Sequence, residues 1–210
     1  MKVMLITGAT GTVGGHLVGR FHGRYRILAQ GRDAEGLAAL QARHPGVETV
    51  CGDLQSPQLA EAVGKSQLVI HAAGQRYADI GETHCALTLD ANIGGTQRLA
   101  DLATRAAVER FVFVSTVEAD RPTSVHAMSK FLAERLVLEL AEQGYDARFH
   151  VCRLARIAAP HRRDGAYTVE DAGDLIEYAL LHGGNGDILG PEMPAVTGAI
   201  ETGRSIRAAA

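Results

Sequence analysis

Cysteine is scarce in this chain. Its three cysteines, Cys51, Cys85 and Cys152, are odd in number, far apart and without a CxxC pair. That argues against a disulfide framework and for reduced thiols in a cytoplasmic protein. Metal-ligand spacing is missing as well: nine histidines are scattered along the chain, and with no Cys/His/Asp cluster no metal site is expected. Charge of one sign is not in excess, and a net charge of −3 gives no reason to expect nucleic acid or an anionic membrane as a partner. Long hydrophobic runs are absent too, since glycine or charge interrupts each apolar segment before the roughly 18 residues that a membrane span needs. The apolar run that opens the chain stops at Gly8; it is too short for a signal peptide and reads as a first strand. No internal repeat or inter-domain linker is visible.

What is present is an ordinary globular composition, 46% apolar and 21% charged over 210 residues, enough for one domain with a full core. Apolar β-branched runs at 2–8, 25–30, 47–52, 67–74, 110–116 and 147–155 predict strands. Helical periodicity between them predicts helices at about Thr12–His22, 33–43, 57–64, a long stretch ending near Ala107, 125–143 and 171–182. This alternation predicts βαβ units: an α/β fold of the doubly wound, Rossmann type, with a parallel sheet covered on both faces. Residues 1–190 are expected to form a single dinucleotide-binding domain with a minimal substrate-side region at about 155–190, followed by a weakly patterned tail at 191–210. Ligands of such folds bind at the carboxyl ends of the strands, so the residues just after each strand carry the chemistry.

After the first strand comes "TGATGTVG", with Gly8, Gly11 and Gly14 at the opening of a helix. One glycine makes the tight turn, one lets the backbone approach a pyrophosphate, and one lets helix and strand pack closely. The N–H groups and dipole at the helix start then attract the phosphates. Gly8, Thr10, Gly11, Thr12, Val13 and Gly14 are therefore candidate cofactor residues. Binders of NAD place a carboxylate at the end of the second strand for the ribose 2′-hydroxyl. Here that end reads Gln30-Gly31-Arg32. Arg32 offers a planar fork for a 2′-phosphate, which favours NADP, with NAD as the alternative. The plainer role for Arg32 is a solvated charge ahead of an Asp33 helix cap.

These motifs, with "GDL" at Gly52–Leu54, "VIHAAG" at Val69–Gly74, "ANIGGTQRLADLA" from Ala91, "FVFVST" ending in Ser115-Thr116 and "SKFLAE" from Ser129, make the chain resemble the short-chain dehydrogenase/reductase superfamily. The likeness is to its extended and atypical, epimerase/dehydratase-like branch, and covers about residues 1–190. The resemblance implies that Asp53 and Leu54 flank the adenine, that Ala72, Ala73 and Gly74 line the cofactor, and that Asn92 steadies the strand beneath the site. It also implies a Ser or Thr after the fifth strand, here Ser115 or Thr116, and a Tyr-x-x-x-Lys pair on the next helix. Lys130 matches the lysine, and His126 stands where the tyrosine would be. The two long helices that the superfamily pairs suggest a homodimer.

Imidazole is no neutral replacement for a phenol, with a reference pKa of about 6.5 against about 10. Lys130 one turn away opposes an imidazolium and favours neutral imidazole. A neutral ring accepts a proton near pH 7 but donates poorly to a ketone. Alcohol oxidation, isomerisation or elimination would thus suffer less than carbonyl reduction. His126 as a plain lining residue is the alternative. Tyr77, His84 and Cys85 lie near the functional edge, with surface or packing roles the simpler expectation, and His71 reads as packing. Arg153, Arg156, Arg162 and Arg163 offer positive charge for an anionic substrate, or a solvated face. The expectation is an NADP-dependent oxidoreductase acting on an unidentified small molecule. A cofactor-sensing regulatory protein, or a non-redox isomerase or lyase using His126 as base, are the alternatives.

Overall fold

The computed structural model describes residues 1–75, 85–158 and 167–192; Tyr77, His84, Arg162, Arg163 and the tail from residue 193 lie outside them. The described strands are β1 (Val3–Thr7), β2 (Arg26–Gly31), β3 (Glu48–Cys51), β4 (Leu68–His71), β5 (Arg110–Thr116), β6 (Arg148–Leu154) and β7 (Ile188–Leu189). They form one parallel sheet in the order β3-β2-β1-β4-β5-β6-β7. The order reverses between β1 and β4, and the crevice above that point is where a doubly wound sheet binds its ligand. The α/β, Rossmann-type architecture expected from the sequence is the one observed.

Alternation along the strands builds two core layers, because successive side chains leave a strand on opposite faces. Leu5, Leu28, Val69, Phe111, Phe113, Phe149 and Val151 face one way. They pack on helices α3 (Pro57–Gly64), α5 (Gly95–Thr104) and α6 (Val125–Glu142). Met4, Ile6, Ile27, Ala29, Ile70, Val112 and Cys152 face the other way, onto α1 (Thr12–Phe21), α2 (Ala34–Arg43) and α7 (Val169–His182). No helix among the described residues is long and apolar enough to cross a membrane.

Three local features differ from the pattern expected. β4 ends at His71 rather than Gly74, because the backbone beyond it bonds to side chains instead of to the sheet: Ala73 N–H to Thr7 Oγ1 (3.3 Å) and Gln75 N–H to Asn92 Oδ1 (2.6 Å). The long helix before β5 is a short α4 (Cys85–Leu89), a π turn (Asp90–Gly94) and then α5, ending at Thr104. The wider turn lifts a backbone carbonyl out of the regular ladder, and the Thr96 hydroxyl donates to that of Asn92 (2.5 Å). After β5 a 3-10 turn, Val117–Asp120, starts on a Thr116 cap.

Candidate functional site

The loop after β1 shows why its glycines are where they are. Gly8 has φ +69°, and a Cβ there would sit 2.7 Å from the Ala73 backbone. A Cβ on Gly14 would lie 2.2 Å from the Gly8 carbonyl oxygen, so only glycine lets α1 close down on β1. The start of α1 has no side-chain cap and no acid in its first turn. Among the described residues no side chain caps the amides of Thr12, Val13 and Gly14. A glycine cradle ending in a helix start uncapped by any side chain fits the pyrophosphate of a dinucleotide.

The residues that the sequence assigns to the adenosine lie at the ends of β2 and β3. Arg32 is exposed and donates from Nη2 to Gln75 Oε1 (2.9 Å). The neighbouring carboxylate, Asp33, is committed as the cap of α2, accepting from Gly36 N–H (3.0 Å). Gln30 is buried, and its Nε2 donates to the Gly52 carbonyl (2.6 Å), which holds the turn that carries Asp53 and Leu54. Asp53 is exposed and accepts from Gln55 N–H (2.8 Å), while Leu54 packs into the core beside Gly95.

On the other side of the switch point, four elements meet. Ser124 caps α6 by accepting from Ala127 N–H (3.1 Å), which places His126 in the first turn and Lys130 one turn on, along one helix face. Lys130 is 6% exposed; its Nζ donates to the Val114 carbonyl (2.8 Å) and lies 4.6 Å from the Phe113 ring centroid. Burial pushes its pKa down to about 8, against the opposing attraction of Glu134. A Cβ on Gly74 would meet Lys130 Nζ at 3.2 Å and Asn92 Oδ1 at 3.4 Å, so β4's exit, the π turn and α6 converge on one spot. Asn92 clamps both backbone groups of Gln75, accepting its N–H and donating to its carbonyl (2.9 Å), and donates also to Ser129 Oγ (2.8 Å). His126 Nδ1 lies 3.2 Å from the same Gln75 carbonyl. A carbonyl only accepts, so this contact puts the ring proton on Nδ1 and the lone pair of neutral imidazole on Nε2.

Ser115 and Thr116 differ. Ser115, 5% exposed, shares its strand face with Phe113, and its buried Oγ has no hydrogen-bond partner among the described residues. Thr116 points to the opposite face, and its Oγ1 accepts from Glu118 N–H (3.3 Å) as a cap. Arg153, offered above as an anion ligand, is already engaged: it donates to both oxygens of buried Glu134 (Nη2 to Oε2, 2.7 Å) and pairs with Asp120 (3.1 Å). Arg156 is exposed, and Cys85 is half-buried at the start of α4. Among the described residues no group of His, Cys, Asp and Glu could hold a metal. Gln75 was not anticipated from the sequence. It matters through its carbonyl, which no residue type advertises.

Comparison with known proteins finds relatives of the same fold. An uncharacterized membrane protein of Methanocaldococcus jannaschii is 30% identical over 146 residues, 65% of this chain and 43% of that protein. UDP-glucose 4-epimerase of Rickettsia rickettsii is 23% identical over 230 aligned positions, 93% of this chain and 67% of that one. The dTDP-glucose 4,6-dehydratase DesIV of Streptomyces venezuelae, solved with NAD and TYD bound, shares the fold with a TM-score of 0.78 at 21% identity, over 90% of this chain and 74% of that chain. This chain thus spans well under half of the first relative's length and about two thirds of the second's. The model of the NAD dependent epimerase/dehydratase family matches residues 4–171, and the chain belongs to that family.

Proposed function

We propose that the chain binds a nicotinamide dinucleotide, NADP in preference to NAD, and acts as an oxidoreductase on a small molecule, with His126 in the place of the usual tyrosine. Family membership and an NAD-bound structural neighbour support the dinucleotide. Arg32 at the end of β2, with Asp33 committed to its helix cap, supports the phosphorylated form: no carboxylate there is available for a ribose 2′-hydroxyl, and a guanidinium is. When bound, the nicotinamide supplies a hydride acceptor or donor. Gly8, Gly11 and Gly14 and the amides that open α1 hold the pyrophosphate, and Asp53 and Leu54 border the adenine. Ala72, Ala73 and Gly74 line the groove, and Asn92 holds its far edge through Gln75.

The observation that carries the reaction is the anchoring of His126 Nδ1 on the Gln75 carbonyl. It leaves Nε2 as the basic nitrogen, one helical turn from a lysine whose pKa burial lowers to about 8. An imidazole so held takes a proton from an alcohol; Lys130 disfavours the imidazolium and so favours handing the proton on. Ser115, whose hydroxyl is unpartnered among the described residues, is the group to bond the substrate oxygen, with Thr116 beside it on the opposite strand face. Oxidation of the alcohol is thus the direction this residue set serves.

The test is turnover of a panel of secondary alcohols with oxidised NADP, followed by nicotinamide absorbance. Changing His126 to Ala is expected to cost on the order of 10²–10⁴ in kcat with cofactor affinity unchanged. Turnover indifferent to the change removes His126 from the reaction. Conversion of a substrate with no net change in nicotinamide absorbance assigns the site to non-redox proton transfer instead.

A further inference from the structure

A hydrogen-bonded chain crosses the buried layer just below the cofactor end of the sheet. Thr7 closes β1 and His71 closes β4, side by side in register. His71 is fully buried, with ring centroids 6.2 Å and 5.5 Å from Phe111 and Phe113. Its Nδ1 lies 2.7 Å from Thr7 Oγ1 and its Nε2 lies 2.9 Å from Thr96 Oγ1. At the outer ends, Ala73 N–H donates to Thr7 Oγ1 (3.3 Å) and Thr96 donates to the Asn92 carbonyl (2.5 Å).

The ends set the direction of every bond between them, because a backbone N–H only donates and a carbonyl only accepts. Thr96 commits its one hydrogen to Asn92, so its oxygen accepts from His71 and the ring proton sits on Nε2. Nδ1 then carries the lone pair and accepts from the Thr7 hydroxyl, whose oxygen accepts from Ala73. An imidazolium would bring a second donor to Thr7 and leave that hydroxyl's hydrogen buried without an acceptor. The neutral, Nε2-protonated ring is the one arrangement that satisfies all five groups.

The chain joins the dinucleotide loop to the π turn from below, beneath the direct contact that Asn92 makes with Gln75. One end is Ala73, in the loop that packs on Gly8. The other is Asn92, whose side chain clamps Gln75, whose carbonyl in turn takes the His126 proton. We propose that His71 is a positioning residue: through Thr7 and Thr96 it ties the dinucleotide loop at Ala73 to the π turn at Asn92, and so sets the orientation and tautomer of His126. What His126 then does rests on the function proposed above; the chain itself does not. If His71 served only to fill space between Phe111 and Phe113, a ring without nitrogens would leave His126 as it is.

Histidine-selective 15N labelling of the full chain distinguishes these cases by NMR. In the wild type, His71 is expected to be protonated on Nε2 and His126 on Nδ1. Thr96→Val deletes one link at nearly constant shape, and His71→Phe deletes the centre while keeping an aromatic ring. In both, His126 is expected to lose its single-tautomer signature, and Thr96→Ser is expected to restore the wild-type pattern. With a substrate in hand, Thr96→Val lowers kcat about tenfold, the worth of one buried hydrogen bond, with KM nearly unchanged. A His71 protonated on Nδ1, or His126 resonances in Thr96→Val that superimpose on the wild type, overturns the proposal. Turnover unaffected by His126→Ala would instead defeat the proposed reaction while leaving the NMR result standing.

Discussion

Two glycines and one imidazole carry the proposed site. A Cβ on Gly14 would overlap the Gly8 carbonyl at 2.2 Å, a contact that no side-chain rotation relieves. Gly14→Ala is therefore expected to push α1 off β1, abolish dinucleotide binding in a fluorescence titration, and destabilise the fold by about 1–3 kcal/mol, as overpacking does. Binding that survives the change would show that the helix start does not hold the pyrophosphate. These glycines were legible in the sequence because backbone geometry restricts the residue type. His126 stood out in the sequence against the resemblance, but the atom it bonds did not: Gln75 meets it through a carbonyl, and any residue has one. Arg153 was misjudged for a related reason. An arginine at a strand end looks available until the fold brings Glu134 beneath it.

At the scale of elements, α6 does two jobs. Its first two turns present His126 and then Lys130, and the turn after them buries Glu134 (1% exposed), which holds Arg153 of β6 with a bidentate grip. Removing the carboxylate with Glu134→Leu leaves a largely covered guanidinium with only the exposed Asp120 for company, and about 3 kcal/mol of stability is expected to go. Asp120→Ala, on a side chain that is 68% exposed, is expected to cost under about 1 kcal/mol. Chemical denaturation of both variants checks the contrast; equal effects would contradict the burial argument. Strand and helix positions were mostly legible, because period-2 and period-3.6 patterns survive in the sequence. The π turn was not. Its sequence, Asp90–Gly94, is helical in composition, and the side chains that hold it in place, Thr96 and Asn92, find their partners His71 and Gln75 at and just beyond the end of β4. The early end of β4 has the same origin, since the residues after His71 follow side-chain anchors on β1 and the π turn.

For the whole molecule, two buried imidazoles link stability to pH. Burial pushes His71 down to about 3, with the Lys130 charge adding to it, and burial followed by the charge of Arg110 pushes His150 down to about 4. Both folded values lie below the unfolded one of about 6.5, so the unfolded chain binds protons first as the pH falls. Their contribution is complete above about pH 6.5 and is lost as the pH falls toward 4 and 3, at up to about 1.4 kcal/mol per pH unit for each ring. Melting temperatures across pH 7 to 4 check this: His71→Phe should flatten the slope, and an unchanged slope would mean that His71 titrates normally.

The central claim is that the crevice at the switch point holds a phosphorylated nicotinamide dinucleotide. Titration of the protein with NADPH, and separately with NADH, following nicotinamide fluorescence, tests it most directly. Saturable binding of both is predicted, with a preference for NADPH that Arg32→Ala erases by weakening NADPH alone. Failure of either dinucleotide to bind would contradict the account, and a preference that survives Arg32→Ala would contradict the role given to that arginine.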